Sequence, residues 1–282
     1  FLHLLNGETI NHDTFVKMSG RYANAICKMG LSPGDRVAVQ VKKSPESLAV
    51  FAACVQAGLI YIPLNTAYTP NEVSFFIENS QAKLFICEVC KEHELIKIAE
   101  REGAILETIN SEGEGTFVNK SKKESDSFKT IDRDGEDLVA LLYTSGTTGK
   151  PKGAMLTQNN LLSNAKTLVD IWKFTNKDIL LHALPIYHTH GLFVAINVTL
   201  MAGGAIIFLP DFNLDSVIKN ISNANVMMGV PTFYTRLLAD QRFSREIAKN
   251  MRLFISGSAP LLAETHDEFE QKTGHKIIER YG

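Results

Sequence analysis

The sequence predicts an α/β protein whose largely parallel sheets are flanked by helices and arranged in two lobes. Three observations support this prediction. Short apolar runs alternate with longer segments of helical character along most of the chain, and helix-start and helix-stop signals separate them. A single polar stretch, residues 111–136, interrupts the alternation. Alternation of this kind is typical of strand–helix–strand units, which place parallel strands side by side.

In the first half of the chain, helix signals are the clearest guide. A helix predicted for residues 13–29 ends at Gly30, a residue type that tolerates the left-handed cap conformation. Ser44-Pro45 opens a second helix that closes at Gly58, and Thr69-Pro70-Asn71-Glu72 opens a third as a capping box with proline at the first helical position. The apolar runs between these helices predict strands at 36–41, 59–64, 83–87 and 105–109.

The second half repeats the pattern and completes the predicted domain organisation. Strands are predicted near 138–143, 179–184, 205–209, 226–230, 252–256 and 276–280. Helices are predicted near 157–172, 191–202, 214–223, 232–239 and 261–273. Since Ser, Gly, Glu, Lys and Asp dominate residues 111–136, we interpret that stretch as a solvated connection between a first lobe, 1–110, and a second, 137–282.

Composition excludes several classes of protein. The net charge of −2 gives no electrostatic footprint for nucleic acid, and no apolar run reaches the roughly eighteen residues of a membrane span. Four cysteines in 282 residues do not form a secreted disulfide framework, which favours a reduced, cytoplasmic setting.

The chain begins at Phe1 and stops at a predicted strand end, so we expect a piece of a longer protein. A leader sequence for import into an organelle is then an open alternative. The oligomeric state is not predicted.

Residues 142–153, LYTSGTTGKPKG, are the most informative segment. Glycines let successive N–H groups turn inward into an anion nest, hydroxyls add neutral donors, and Lys150 and Lys152 add positive charge. A polyphosphate ligand is therefore expected. A flexible linker of the same composition would not need the flanking strand and helix. The common nucleotide P-loop is excluded, because only two residues separate the first glycine from the Gly149-Lys150 pair. The predicted phosphate-binding residues are Thr144, Ser145, Gly146, Thr147, Thr148 and Gly149.

A second segment, residues 183–191, places His188, Thr189 and His190 after an apolar strand and before an apolar helix. Open α/β sheets bind ligands at the carboxyl ends of their strands, so these side chains are candidates for a ligand site. A zinc site is disfavoured, since no third ligand has suitable spacing. Taken alone, two histidines that cap a helix start are an equally good interpretation.

A third segment, Ser256-Gly257-Ser258-Ala259-Pro260, follows a predicted strand and precedes a helix. Its small residues would let a flat base approach the backbone, although a tight turn alone explains them as well.

Arginines give the fourth signal. Arg280 precedes Tyr281-Gly282, and its guanidinium could bind a carboxylate through two parallel hydrogen bonds. The alternative is a surface arginine paired with Glu279 or Glu268, which contributes little. Arg236 is a possible second cation for the same acid, but a helix-surface position is the favoured interpretation.

Residues 142–153 resemble the phosphate loop of the adenylate-forming superfamily, which contains acyl-CoA synthetases, luciferases and nonribosomal adenylation domains. Further segments resemble the malonyl-CoA synthetase branch, namely 60–71, 183–198, 229–238, 251–262 and 279–282. The resemblance implies the large N-terminal part of that fold, without the small C-terminal domain. It also implies ATP- and Mg²⁺-dependent activation of malonate, followed by transfer of the malonyl group to coenzyme A. Two alternatives stay open: another short acid such as methylmalonate, or a non-catalytic nucleotide-binding fragment.

The same resemblance implies roles for individual residues. His188 would lie beside the acyl carboxylate and the adenylate phosphate and, with Lys150 and Lys152, is a predicted catalytic residue. Thr189 and His190 would border the acyl pocket, where Arg280 and Arg236 are the candidates for the second carboxylate. Adenine would lie against residues 256–260 and stack on the tyrosine of Tyr281-Gly282. The glutamate that helps to hold Mg²⁺ is expected beyond Gly282, so no metal ligand is assigned in this sequence.

Overall fold

The structure is a computed structural model that describes residues 1–144 and 151–281. It divides the chain into two compact units, each with its own sheet. We call His12–Ser163 the six-stranded unit, and Phe1–Asn11 together with Asn164–Gly282 the seven-stranded unit. The prediction of an α/β fold with largely parallel sheets flanked by helices is confirmed.

Strands and helices alternate along the chain as the apolar pattern predicts. The strands are β1 (Leu2–His3), β2 (Thr9–Ile10), β3 (Arg36–Gln40), β4 (Ile60–Pro63), β5 (Leu84–Cys87), β6 (Ile105–Thr108), β7 (Leu138–Thr144), β8 (Lys152–Thr157), β9 (Ile179–His182), β10 (Ala205–Phe208), β11 (Val226–Gly229), β12 (Leu253–Gly257) and β13 (Ile277–Arg280). The helices are α1 (His12–Lys28), α2 (Pro45–Gln56), α3 (Pro70–Ser80), α4 (Glu92–Arg101), α5 (Thr116–Ser121), α6 (Gln158–Ile171), α7 (Asn197–Ala202), α8 (Leu214–Asn220), α9 (Pro231–Ala239), α10 (Arg245–Ala248) and α11 (Ala263–Thr273).

The two sheets share one design. The seven-stranded sheet has the order β13-β12-β11-β9-β10-β1-β2, and its strands are parallel except for the β1–β2 pair. The six-stranded sheet has the order β6-β5-β3-β4-β7-β8, and only β7 and β8 run antiparallel. Central strands such as β5 and β11 are buried along their whole length, as parallel strands covered by helices must be. The carboxyl ends of neighbouring parallel strands therefore meet at one edge of each sheet.

The predicted capping box at Thr69 is present, and Ser44 forms a second one that was not predicted. The Ser47 N–H donates to Ser44 Oγ at 3.1 Å ahead of α2. The Thr69 N–H donates to Glu72 Oε2 at 2.8 Å ahead of α3, and the Glu72 N–H returns a bond to Thr69 Oγ1 at 3.4 Å. Each box satisfies N–H groups that the first helical turn leaves without partners.

The division into units differs from the predicted lobes of 1–110 and 137–282. Strand β7 pairs with β4 and β8 pairs with β7, so both belong to the six-stranded sheet. Strand β1, from the start of the chain, pairs instead with β10 in the seven-stranded sheet. An apolar run indicates that a strand exists, but its neighbour is chosen by packing that the local pattern does not encode.

Residues 111–136 do not form the predicted solvated connection. Helix α5 lies within this stretch, and its buried Phe117 packs edge-on against Tyr22 of α1, with ring centroids 5.0 Å apart. The Asn24 side-chain amide donates to the carbonyls of Ser125 and Ser127 at 2.8 and 3.0 Å. A Cβ on Gly20 would lie 2.5 Å from the Asp126 carbonyl oxygen, so only glycine permits this approach. The polar stretch thus packs along α1 inside the six-stranded unit.

Five further elements were not predicted: strands β1, β2 and β8 and helices α4 and α10. The helix predicted for 191–202 begins as a π-helical segment, His190–Ile196, and continues as α7. Within the described residues, the helices are all too short or too polar to cross a bilayer.

Candidate functional site

The antiparallel β7–β8 pair holds the two ends of the predicted phosphate loop. Thr144 ends β7 and pairs in register with Lys152 of β8, and its hydroxyl donates to the Lys152 carbonyl at 3.4 Å. Both side chains are exposed, so a hydroxyl and an ammonium group are available where the hairpin opens. Lys152 was predicted as part of a loop and is the first residue of a strand. The other predicted loop residues lie outside the described residues: Ser145, Gly146, Thr147, Thr148, Gly149 and Lys150.

A cavity of about 430 Å³ borders this hairpin within the six-stranded unit. Thr144 and Pro151, which flank the loop on either side, form part of its wall. Aromatic residues form much of the rest, and Phe76 contacts Tyr68 and Tyr143 with centroids 4.8 and 4.6 Å apart. The cavity is therefore bounded in part by aromatic rings that contact one another.

In the seven-stranded unit, a buried histidine anchors the segment that carries His188, Thr189 and His190. His182 ends β9 and donates from Nε2 to the Gly191 carbonyl at 2.9 Å, since a carbonyl can only accept. A Cβ on Gly191 would lie 2.0 Å from the Pro185 carbonyl oxygen, so glycine is required there. A π-helical turn begins at this point, a feature that is frequent at functional sites. Neither His182 nor Gly191 was predicted as a site residue, although each flanks the His-x-His motif.

The two histidines of the motif have different environments. His188 and Thr189 are exposed, and the His188 ring lies against Tyr187 with centroids 4.7 Å apart. Partial burial lowers the pKa of His188, which favours the neutral imidazole. His190 is only 3% exposed. Burial, followed by the positive charge of Arg280, lowers the pKa of His190 to about 4. His190 is therefore neutral near pH 7.

His190 lies against the turn that was predicted as the adenine site. Its Nδ1 is 3.3 Å from Ser258 Oγ, and a Cβ on Gly257 would lie 3.1 Å from its Cε1. Its Nε2 is buried and has no hydrogen-bond partner among the described residues. The hydroxyl of Ser256, on the same strand end, is buried and equally unpartnered within that part of the chain. Polar atoms without partners thus gather at the carboxyl end of β12.

The turn after β12 has an unusual backbone. Ser258 has φ of +71°, in the left-handed region that non-glycine residues seldom occupy. Ser258, Ala259 and Pro260 are exposed, whereas Ser256 and Gly257 are buried. The segment therefore offers a mostly small, accessible surface, as the sequence predicts for a turn or for a base-binding site.

Arg280 ends β13 directly beside this turn, in register with Gly257. It is half-buried, and burial lowers the pKa of its guanidinium. The alternative of a surface pair with Glu279 or Glu268 is wrong. Glu279 accepts from the Leu261 N–H at 3.1 Å and pairs with His266 at 3.1 Å, and no ion pair joins Arg280 to a carboxylate of the described residues. The next residue, Tyr281, is fully exposed, and Gly282 lies outside the described residues.

Arg236 is placed differently. It is exposed on α9, with its Cζ 4.7 Å from the centroid of the Phe212 ring, which in turn stacks on Phe233 at 4.0 Å. This cation–π contact fits the helix-surface interpretation. The structure thus brings His190, Gly257, Ser258 and Arg280 together, whereas the contact described for Arg236 is with the Phe212 ring.

A metal site does not emerge from the described residues. In residues 1–144 and 151–281, no group of three or more His, Cys, Asp or Glu side chains could hold a metal ion.

Comparison with known proteins assigns the family. Residues 2–282 match the sequence profile described as AMP-binding enzyme. The chain belongs to the AMP-binding enzyme family. A malonate–CoA ligase of Arabidopsis thaliana is 32% identical over 277 residues, which cover 90% of this chain and 45% of that ligase.

Solved structures agree with this assignment. The crystal structure of apo MatB from Rhodopseudomonas palustris shares 51% identity at a TM-score of 0.98, and it covers 100% of this chain and 56% of that one. ATP-bound MatB from the same organism shares 52% identity at the same TM-score and coverage. The chain spans about half the length of the relatives that it matches.

Proposed function

We propose that the protein adenylates malonate with ATP and transfers the malonyl group to coenzyme A, with release of pyrophosphate and AMP. The observation that carries this proposal is Arg280, a half-buried guanidinium at the carboxyl end of β13 with no carboxylate partner in the described residues. A buried charge without a partner is unfavourable, so a ligand carboxylate is its natural counterion. The names of its relatives, malonate–CoA ligase and ATP-bound MatB, support the same reaction.

Arg280 selects the acid in this proposal. Its guanidinium binds the distal carboxylate of malonate through two parallel hydrogen bonds, so an acid that lacks this group is disfavoured. Thr189, exposed on the preceding turn, borders the acid. The neutral His188 side chain lies next to the reacting carboxylate and can donate a hydrogen bond to it without adding a full charge. Arg236, already engaged with Phe212, is a weaker candidate for this role.

The nucleotide is bound by the remaining predicted residues. Donors from Thr144 to Gly149, with Lys150 and Lys152, stabilise the phosphate charge, while residues 256–260 and Tyr281-Gly282 hold the adenine. Mg²⁺ would enter with ATP and neutralise charge on its phosphates. No described residue is assigned to the ion.

Two displacements complete the reaction. A malonate carboxylate oxygen attacks the α-phosphorus of ATP, so that an O–P bond forms as the bond to pyrophosphate breaks. The coenzyme A thiolate then attacks the carbonyl carbon of the malonyl-adenylate, and AMP leaves with the electrons of the C–O bond. The protein contributes positioning and charge stabilisation and forms no covalent intermediate of its own.

The test uses protein expressed from its complete coding sequence. Pyrophosphate release is measured with malonate, methylmalonate and butyrate, and the thioester is sought by mass spectrometry after coenzyme A is added. We expect rapid release and a malonyl thioester with malonate, and little with butyrate. Preference for methylmalonate would reassign the acid. Adenylation without a thioester would favour a luciferase-like or carrier-loading enzyme. ATP binding without pyrophosphate release from any acid would favour a non-catalytic module.

The cytoplasm stays the predicted location, with an organellar matrix as the alternative.

A further inference from the structure

We propose that Ser258 is a positioning residue for His190: its hydroxyl donates to Nδ1, so that Nε2 carries the proton and donates it to a carboxylate of the bound acid. The inference rests on the proposed function, because the acid is the expected acceptor. It assigns the Ser258 hydroxyl a role of its own, apart from the contact that residues 256–260 are proposed to make with the adenine.

Packing fixes the position of the His190 ring. The residue is 3% exposed, and the Gly257 backbone lies against the ring so closely that a Cβ there would be 3.1 Å from Cε1. The residue that follows His190 is held as well, because the Gly191 carbonyl accepts a hydrogen bond from His182. With the ring fixed, only its tautomer is left to be set.

The partner of Nδ1 sets that tautomer. A neutral imidazole has one N–H and one bare nitrogen, and a donor at Nδ1 forces the proton onto Nε2. Ser258 Oγ, 3.3 Å from Nδ1, is the polar group in position to donate. The doubly protonated ring is disfavoured, since burial and the nearby Arg280 charge lower the pKa of His190 to about 4.

The other ring nitrogen points to a ligand. Nε2 is buried and has no partner among the described residues, and leaving a buried donor without an acceptor is costly. The charged group that faces His190 is Arg280, which also awaits an acceptor. A carboxylate can accept from an N–H at Nε2 and from the guanidinium together, whereas a bare Nε2 would repel it.

The backbone of Ser258 supports a role for its side chain. Its φ of +71° is one that glycine adopts without cost, and a serine there is strained. A turn alone would be better served by glycine. The hydroxyl is what serine adds at this position.

The decisive variant is Ser258→Gly, which removes the hydroxyl and suits the backbone. In ¹⁵N-histidine spectra of the complete protein, with the His190 signals assigned by their loss in His190→Gln, we expect the Nε2–H tautomer in the parent. The tautomer should become mixed in Ser258→Gly. The KM for malonate should rise about tenfold, the effect of one lost hydrogen bond. Ser258→Ala, which retains a Cβ, should give the same kinetic shift.

A double-mutant cycle separates this role from a structural one. In a His190→Gln background, Ser258→Gly should cause no further change in the malonate KM, because the ring that it positions is gone. An Nδ1–H tautomer in the parent protein would overturn the proposal, and so would equal losses in both backgrounds. If the parent shows no activity with malonate, the proposed function fails, and the tautomer measurement still decides the part played by Ser258.

Discussion

Two arginines, one at the amino ends and one at the carboxyl ends of the parallel strands of the seven-stranded sheet, differ in what they bind. Arg252 precedes β12 at the amino edge, and its Nε and Nη2 lie 2.6 and 2.8 Å from the two carboxylate oxygens of Asp178. Its Nη1 donates to the Trp172 carbonyl at 3.0 Å. Arg280 ends the neighbouring strand β13 at the carboxyl edge and has no ion-pair partner in the described part of the chain.

The difference separates structure from ligand binding. Arg252 is satisfied by the fold itself, so it stabilises the sheet and leaves nothing for a ligand. Arg280 has the same guanidinium, but the nearby Glu279 is engaged by His266 and the Leu261 N–H. Parallel sheets bind ligands at their carboxyl edge, where Arg280 lies. An arginine is thus a candidate for ligand binding when its surroundings leave it without an acid.

The largest expected effect concerns the satisfied arginine. Asp178→Ala removes the buried carboxylate that accepts from Arg252 and from the Thr175 N–H. At about 1.5–3 kcal/mol for each hydrogen bond to a charged group, we expect a loss of about 3–5 kcal/mol of unfolding free energy. Urea denaturation measures this loss. The selectivity for malonate over butyrate should stay as in the parent, and a changed selectivity would remove the contrast between the two edges.

The second effect concerns the unpaired arginine. Arg280→Gly should lower the preference for malonate over butyrate by about 2–5 kcal/mol, because a bidentate pair is lost from a desolvated site. Pyrophosphate release with each acid gives the ratio. Arg280→Lys is the matched control: it keeps the charge but not the paired donors, so it should restore only part of the preference. Unchanged selectivity in Arg280→Gly would contradict the dicarboxylate proposal.

The third effect is a pH dependence of stability that originates beside Arg280. The pKa of His190 is lowered from 6.5 to about 4 in the folded protein, chiefly by burial. Below pH 6.5 the His190 side chain becomes protonated in the unfolded protein but stays neutral in the folded one. The free energy of unfolding therefore decreases as the pH falls from 6.5 towards 4. The loss between pH 7 and 5 should be on the order of 1–2 kcal/mol. Denaturation at both pH values measures it, and His190→Gln, which cannot titrate, should show a smaller loss. An equal loss in both proteins would show that His190 is not the cause.

The smallest effect concerns the nucleotide side of the carboxyl edge. Tyr281 is fully exposed, ready to stack on a base. Tyr281→Ala should weaken ATP binding by about 0.5–1.5 kcal/mol, the worth of an aromatic stack, whereas Tyr281→Phe should leave it almost unchanged. Isothermal titration calorimetry with ATP measures both. Equal affinity in all three proteins would remove Tyr281 from the proposed adenine site.

Local signals in the sequence predicted most helices and strands correctly, but they did not predict which strands pair or which helices pack together. The capping box at Thr69 and Glu72 is complete within four residues, so it could be read directly. The pairing of β7 with β4 depends on residues far apart in the chain, and so does the packing of Phe117 on Tyr22. Polar composition made residues 111–136 resemble a linker, because their few buried side chains are hidden among many exposed ones.

The same distinction applies to the candidate site. The position of Arg280 at a strand end was visible in the sequence. Its lack of a carboxylate partner was not, because it depends on Glu279 being paired with His266. Likewise, the motif revealed His188 and His190 as a pair, and only the fold shows one exposed and the other buried. The roles assigned to the loop residues and to residues 256–260 stay predictions.

The pairing of β1 with β10 has a consequence for how the chain is made. Leu2 lies in register with Ile206, so β1 has to wait during synthesis for a partner some two hundred residues later in the chain. The six-stranded unit is one continuous segment and can fold during that interval. Until β10 is made, Phe1 and Leu2, both buried in the finished fold, are exposed to non-native contacts. Slow translation between residue 163 and β10 would prolong that exposure and so favour aggregation through β1.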